Sequence, residues 1–210
     1  MTKKGFVTVF TQDISQEIPE EMKQADCIYC KPPCSYIILT GYYHRAGQAI
    51  PPMFDAYGAY IKRFFEYIDE ISPKHMYLEV TANNKDIFID ECKKRFNFVN
   101  VDEAYYNRNR KFKCWIIRCG RTDAAPSPSK TVEVNTYIRW ICKNTDFKCI
   151  ADPVMQSAAV GFYSHKNERK FIGTELNKKR LAILLQRIDE YDAKEAKKER
   201  KRLAKHNKQP

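Results

Sequence analysis

Apolar residues recur along this chain in two periods, and the two periods alternate. Residues 5–11 (Gly-Phe-Val-Thr-Val-Phe-Thr) are dense in β-branched and aromatic side chains and predict a strand. Residues 25–30 predict a second, halted by Pro32-Pro33, because a double proline cannot continue a central ladder. Further strands are predicted at 75–81, 97–105, 112–119, 149–152 and 171–174. Between them the spacing turns helical. Residues 53–71 carry Phe54, Tyr57, Ile61, Phe64, Phe65 and Ile68. Residues 83–95 carry Ile87 and Cys92, with Phe96 beyond, and residues 132–143 carry Val134, Ile138 and Ile141. Another helix opens after Asp152, and one spans 177–188. Residues 14–22 read as a short helical turn. Residues 36–52, with Gly41, Gly47, Pro51 and Pro52, read as a loop, and 120–130 as a linker. Strands 97–105 and 112–119 flank a polar basic turn and make a hairpin.

Strands alternating with helices predict an α/β chain: a doubly wound, mostly parallel sheet of seven strands with an antiparallel hairpin at one edge. At 210 residues this is one domain, 1–190, followed by a basic charged tail, 191–210. The formal charge of +11 favours a polyanionic partner. No apolar run is long enough for a membrane span, and the first ten residues hold no signal-peptide core. The eight scattered cysteines suit a reducing, cytoplasmic setting. Cys27-x-x-Cys30 invites a metal reading, but it lies in a strand pattern without a second Cys/His pair at finger spacing, so no metal is expected.

The chemistry-bearing stretch begins at Cys149-Ile150-Ala151-Asp152-Pro153-Val154-Met155-Gln156-Ser157-Ala158-Ala159. A strand ends in an acid and a proline, and small residues then open a helix whose first N–H groups can face a ligand. Phe171-Ile172-Gly173-Thr174-Glu175-Leu176-Asn177 follows, with Glu175 about 20 residues beyond the turn, where dinucleotide folds hold ribose hydroxyls. These two segments resemble the cofactor half of S-adenosylmethionine-dependent DNA amino-methyltransferases, whose turn reads Asp-Pro-Phe-x-Gly-Ser-Gly-Thr. Gln156 and Ala158 stand where that family has glycines. The chain order resembles the permuted class of phage or bacterial enzymes, in which the catalytic motif precedes the cofactor motif. The resemblance covers about residues 6–188. It implies a Rossmann-like class I methyltransferase fold, S-adenosylmethionine as cofactor and DNA as partner. Asp13, Asp152, Pro153, Met155, Gln156, Ala158 and Glu175 would line the cofactor site. Asp13 also reads as a simple cap for the turn after it.

Lys31-Pro32-Pro33-Cys34 stands at the family's catalytic tetrapeptide, Asp/Asn/Ser-Pro-Pro-aromatic. There the first side chain and a proline carbonyl accept from the target amine, and the aromatic ring stacks on a flipped base. Lysine has donors only, and cysteine offers little stacking surface. Three readings stay open. The protein methylates an exocyclic amine of adenine or cytosine. Or Cys34 is a cytosine carbon-5 nucleophile, since Pro-Pro-Cys, Glu79 and Arg108-x-Arg110 resemble elements of that family. Or it is a non-catalytic DNA- or protein-binding subunit, with Cys34 and Glu79 as ordinary strand-end residues. Arg45, Arg108, Arg110 and the tail residues Lys197, Lys198, Arg200, Lys201 and Arg202 are candidate phosphate contacts. The tail reads equally as a solvated helix. The 120–130 linker is too short for an inserted recognition domain. Base selectivity would then come from residues 36–52, from a partner subunit or a homodimer, or be absent.

Overall fold

The seven predicted strands are joined by one more in an eight-stranded sheet. The computed structural model describes residues 1–107, 110–156 and 158–206. The strands are β1 (Thr2–Lys4), β2 (Val7–Phe10), β3 (Cys27–Cys30), β4 (His75–Val80), β5 (Phe98–Tyr105), β6 (Lys113–Gly120), β7 (Cys149–Asp152) and β8 (Lys170–Thr174). The helices are α1 (Tyr36–Arg45), α2 (Tyr57–Ile71), α3 (Lys85–Lys93), α4 (Val134–Asn144), α5 (Ala159–Lys166) and α6 (Lys178–His206). Across the sheet the order is β1-β2-β8-β7-β3-β4-β6-β5. From β2 to β4 all pairings are parallel. The β5–β6 hairpin lies antiparallel at one edge, in register from Phe98↔Gly120 to Tyr105↔Lys113. The added strand, β1, pairs antiparallel with β2 at the other edge. It is three residues long and polar, so it leaves no trace in the hydrophobic pattern.

Alternation along each strand divides the core into two layers. Ile28, Met76 and Leu78 face α1, α2 and α3, where Leu39, Phe64 and Phe88 meet them. Tyr29, Tyr77, Ile150 and Phe171 face α4, α5 and α6, where Tyr137, Val160 and Leu184 meet them. Cys27 and Cys30 fall in different layers, so this pair cannot grip one metal ion. Burying an aromatic or large aliphatic side chain stabilises by ~1.5–3 kcal/mol, and aromatic rings dominate the first layer.

Residues 36–45 are helical, which corrects the loop expected there. Ser35 caps α1 by accepting from the Ile38 amide at 3.3 Å. Leu39, Tyr42 and Tyr43 form its buried side. Gly47, at φ 71°, is a helix stop: its amide donates to the His44 carbonyl at 2.9 Å and that of Gln48 to Tyr43 at 3.1 Å. At the other end of the chain, α6 runs unbroken past residue 190. Tyr191 packs on Phe162, and His165 Nε2 donates to Asp192 Oδ1 at 2.7 Å.

Candidate functional site

From β7 the chain turns through α5 to β8 on one side, whereas from β3 it passes through α1 and α2 to β4 on the other. β7 and β3 are neighbours, so the strand order reverses between them. Open α/β sheets bind ligands beyond the carboxyl ends of the strands at such a point. Asp152 ends β7, and Lys31 to Cys34 follow the end of β3.

The turn after β7 is tied to two neighbouring strand ends, those of β8 and β3. The Val154 amide donates to Asp152 Oδ1 at 3.2 Å, and the Met155 amide to the Thr174 carbonyl at 3.0 Å. Thr174 Oγ1 donates to the Pro153 carbonyl at 2.6 Å. The Glu175 amide reaches the Phe10 carbonyl at 3.1 Å, fixing β8 to the end of β2. Gln156 holds φ at 30°, a backbone position that favours glycine, so the turn keeps the glycine conformation without the glycine. The Gln156 Nε2 group offsets that strain by donating to the Lys31 carbonyl at 2.7 Å, which clamps the turn to the end of β3. A Cβ at Gly173 would stand 2.7 Å from the Phe171 ring and 3.0 Å from Met155 Sδ, so Met155 packs where only glycine fits. Ala158 is buried and precedes α5, and Ser157 lies outside the described residues.

Glu175 is fully buried at the end of β8. Its Oε1 accepts from the Asn177 amide at 2.8 Å, while Oε2 has no hydrogen-bond partner and lies 3.8 Å from Arg180 Nη1. Burial pushes its carboxyl above the usual range, against the pull of the Asn177 amide and Arg180. Burial likewise pushes Asp152 well up. Asp13 forms a local turn, accepting from the Ser15 amide at 2.7 Å, and the Tyr43 hydroxyl lies against it. The cap reading of Asp13 therefore holds as local geometry, and the same residue lines a small cavity with Tyr42, Tyr43, Pro153 and Val154.

At the end of β3, Lys31 Nζ pairs with Glu79 Oε1 at 2.8 Å and lies 4.0 Å from the centre of the Tyr106 ring. Glu79 is 4% exposed and also accepts from the Tyr29 hydroxyl at 3.2 Å. Burial, with the Glu79 charge adding to it, pushes the Tyr29 and Tyr106 hydroxyls up, so both stay protonated. The Cys114 thiol nearby is pushed up to about 12 for the same reasons. Pro32 and Pro33 are buried and Cys34 is half-buried. The Pro33 carbonyl accepts from the Tyr57 hydroxyl at 2.7 Å, and that of Cys34 from Asn84 Nδ2 at 2.6 Å. The Lys31, Pro33 and Cys34 carbonyls thus already hold protein donors, and Glu79 already holds a cation.

The candidate phosphate contacts are scattered. Arg45 ends α1, and its carbonyl accepts from Asn177 Nδ2 at 3.0 Å. Arg110 lies 5.7 Å from the Tyr105 ring centre, and Arg108 is outside the described residues. Lys197, Lys198, Arg200, Lys201 and Arg202 are exposed along α6, with Lys198 paired to Glu195 at 2.7 Å and Arg202 to Glu199 at 2.9 Å. The sequence reading did not single out Tyr29, Tyr57, Tyr106, Asn84 or Arg180. Tyr57, Asn84 and Tyr106 reach the crevice from elements remote in sequence, a juxtaposition that no local pattern encodes, whereas Tyr29 and Arg180 lie close in the chain to Lys31 and Glu175.

No protein-family model and no curated protein matches the chain. Among solved structures it is similar to M1.HpyAVI, at 14% identity and a TM-score of 0.56, over 87% of this chain and 99% of that one. M1.HpyAVI in complex with S-adenosylmethionine matches alike, covering 98% of that chain. TTHA0409, a proposed DNA modification methylase from Thermus thermophilus, matches at 11% identity and a TM-score of 0.59, over 86% of this chain and 93% of that one. Its complex with S-adenosyl-L-methionine matches at 12% identity. The fold is that of class I methyltransferases, with β1 added to the seven expected strands.

Proposed function

We propose that this protein is an S-adenosylmethionine-dependent methyltransferase acting on DNA. The observation that carries the reading is the crevice at the β7–β3 reversal, where a buried Glu175 keeps one carboxylate oxygen without a partner. A buried acceptor left unmade is costly, and a ribose hydroxyl is the donor that such a strand-end acid takes. The donor set suits this cofactor: Glu175 for the ribose, Asp13 for the adenine side, and the Asp152–Ala158 turn around the remainder. When bound, the cofactor supplies an activated methyl group on a sulfonium. The chain's own residues would hold it, shield it from water and present the Lys31–Cys34 loop to the acceptor base. Arg45, Arg108, Arg110 and the basic residues of α6 would meet phosphates, and a partner subunit or second copy would add sequence recognition.

The Lys31–Glu79 pair favours a second reading, a non-catalytic subunit of the same fold. An ammonium lies where an amino-methyltransferase needs an acceptor, and the carboxylate that would hold a cytosine ring is neutralised. Transfer of labelled methyl groups to DNA, followed by analysis of the methylated base, separates the possibilities. Amine methylation predicts a methylated exocyclic nitrogen and activity preserved in Cys34→Tyr. Carbon-5 chemistry predicts loss of activity in Cys34→Ser and a covalent adduct with 5-fluorocytosine DNA. Absence of any methylated product by the parent chain, across DNAs of varied sequence, contradicts the enzymatic reading and leaves the subunit.

A further inference from the structure

We propose that α1 is a gate: the Tyr42 hydroxyl and the cofactor's ribose compete for Glu175, so α1 must leave the crevice before the cofactor binds. This rests on the cofactor reading above. The Tyr42 hydroxyl lies against the Glu175 carboxylate and accepts from the Leu176 amide at 3.3 Å. It thereby seals a carboxylate that is 0% exposed, at the strand end where a ligand would need it. Next to it Tyr43 covers Asp13 in the same way. The space left between Asp13, Leu39, Tyr42, Tyr43, Pro153 and Val154 is about 10 Å³. That is about the room of one water, so on the Asp13 side of the crevice α1 lies closed over Pro153 and Val154.

The closed arrangement is imperfect, and its defect points to a ligand. Glu175 Oε2 and Arg180 Nη1 are both buried without a hydrogen-bond partner, 3.8 Å apart. The Tyr42 hydroxyl reaches the carboxylate but leaves Oε2 short of a well-formed hydrogen bond. A ribose offers two adjacent hydroxyls, one to take the place of the Tyr42 hydroxyl on the carboxylate and one to fill the position it leaves open.

α1 has sharply defined ends. It starts at the Ser35 cap and ends at Gly47, in a left-handed conformation that glycine adopts without cost. Its first turn faces outward, with Tyr36, Ile37 and Ile38 exposed. Its far end is latched by Asn177, whose side chain holds the Arg45 carbonyl. Because α1 begins two residues after Cys34, its displacement carries the Pro33–Cys34 loop with it. Cofactor arrival and the position of Cys34 are thereby linked.

The test is calorimetric titration of the full chain and of Tyr42→Phe with S-adenosylhomocysteine, with amide exchange of the parent followed in parallel. Tyr42→Phe keeps the ring but removes the hydroxyl from Glu175 and strands the Leu176 amide in the closed state. The gate predicts about tenfold tighter binding by Tyr42→Phe, the scale of one bond to a charged group. It also predicts faster exchange across Tyr36–Arg45 in the saturated parent. Equal affinities together with unchanged or slower exchange in α1 overturn the gate and leave the cofactor reading standing. Failure of both proteins to bind overturns the gate and the cofactor reading together.

Discussion

Lys31 decides the electrostatics at the end of β3, because it is the counterion of a carboxylate that has almost no water. Removing one member of a buried pair leaves an uncompensated charge, and the half-exposure of Lys31 softens that cost. Lys31→Met is expected to destabilise the fold by about 2 kcal/mol in urea unfolding. Lys31→Met with Glu79→Gln should recover most of it, because no charge is then stranded; equal loss in both variants would show that the ion pair is not the cause. Glu175 gives a pH signature. Burial raises its folded pKa above the unfolded value of ~4.3, so the native state keeps the proton longer. Its contribution to stability is fully present below the unfolded pKa and is lost as pH rises through the folded one. Asp152 slopes the same way. Glu175→Gln should therefore flatten, without abolishing, the fall in stability with rising pH above about 4.3. An unchanged slope would mean that the carboxylate is solvated in the native state.

At the scale of elements, the parallel strands were legible because each is a short apolar run bounded by turn chemistry. Ala151-Asp152-Pro153 and Thr174-Glu175 mark their own strand ends. β1 was not legible, since an edge strand of Thr2, Lys3 and Lys4 gains nothing from burial. α1 was misread because Gly41, Gly47 and two prolines suggest a loop. Gly47 is in fact the left-handed stop of a helix, and Leu39, Tyr42 and Tyr43 already stood at helical spacing. The contact between the cofactor-type turn and β8 makes Gly173 the tightest position there. Gly173→Ala would push a methyl into the Phe171 ring and Met155 and should cost about 2 kcal/mol. Thermal unfolding checks this, and a neutral result would show that Met155 can swing aside.

Across the whole molecule, the acids at the strand ends were legible, but the groups that engage the crevice were not. Tyr42, Tyr57 and Tyr106 arrive there through topology alone. The basic end of α6 is continuous with the packed part of the helix, since Tyr191 and Asp192 still contact α5. A cut after Lys194 therefore spares the packing and removes seven Lys/Arg and two acids, a net +5. If α6 meets phosphates, this truncation weakens DNA binding and lowers the salt slope. An identical slope would make α6 a solvated helix. The claim on which the account turns is that Glu175 holds a cofactor at the β7–β3 reversal. Calorimetric titration with S-adenosylhomocysteine, parent beside Glu175→Ala, tests it most directly. The account predicts saturable binding by the parent, weakened in the variant by about 2 kcal/mol, as expected for a charge-assisted hydrogen bond. Binding of equal strength in both, or none by the parent, would contradict it.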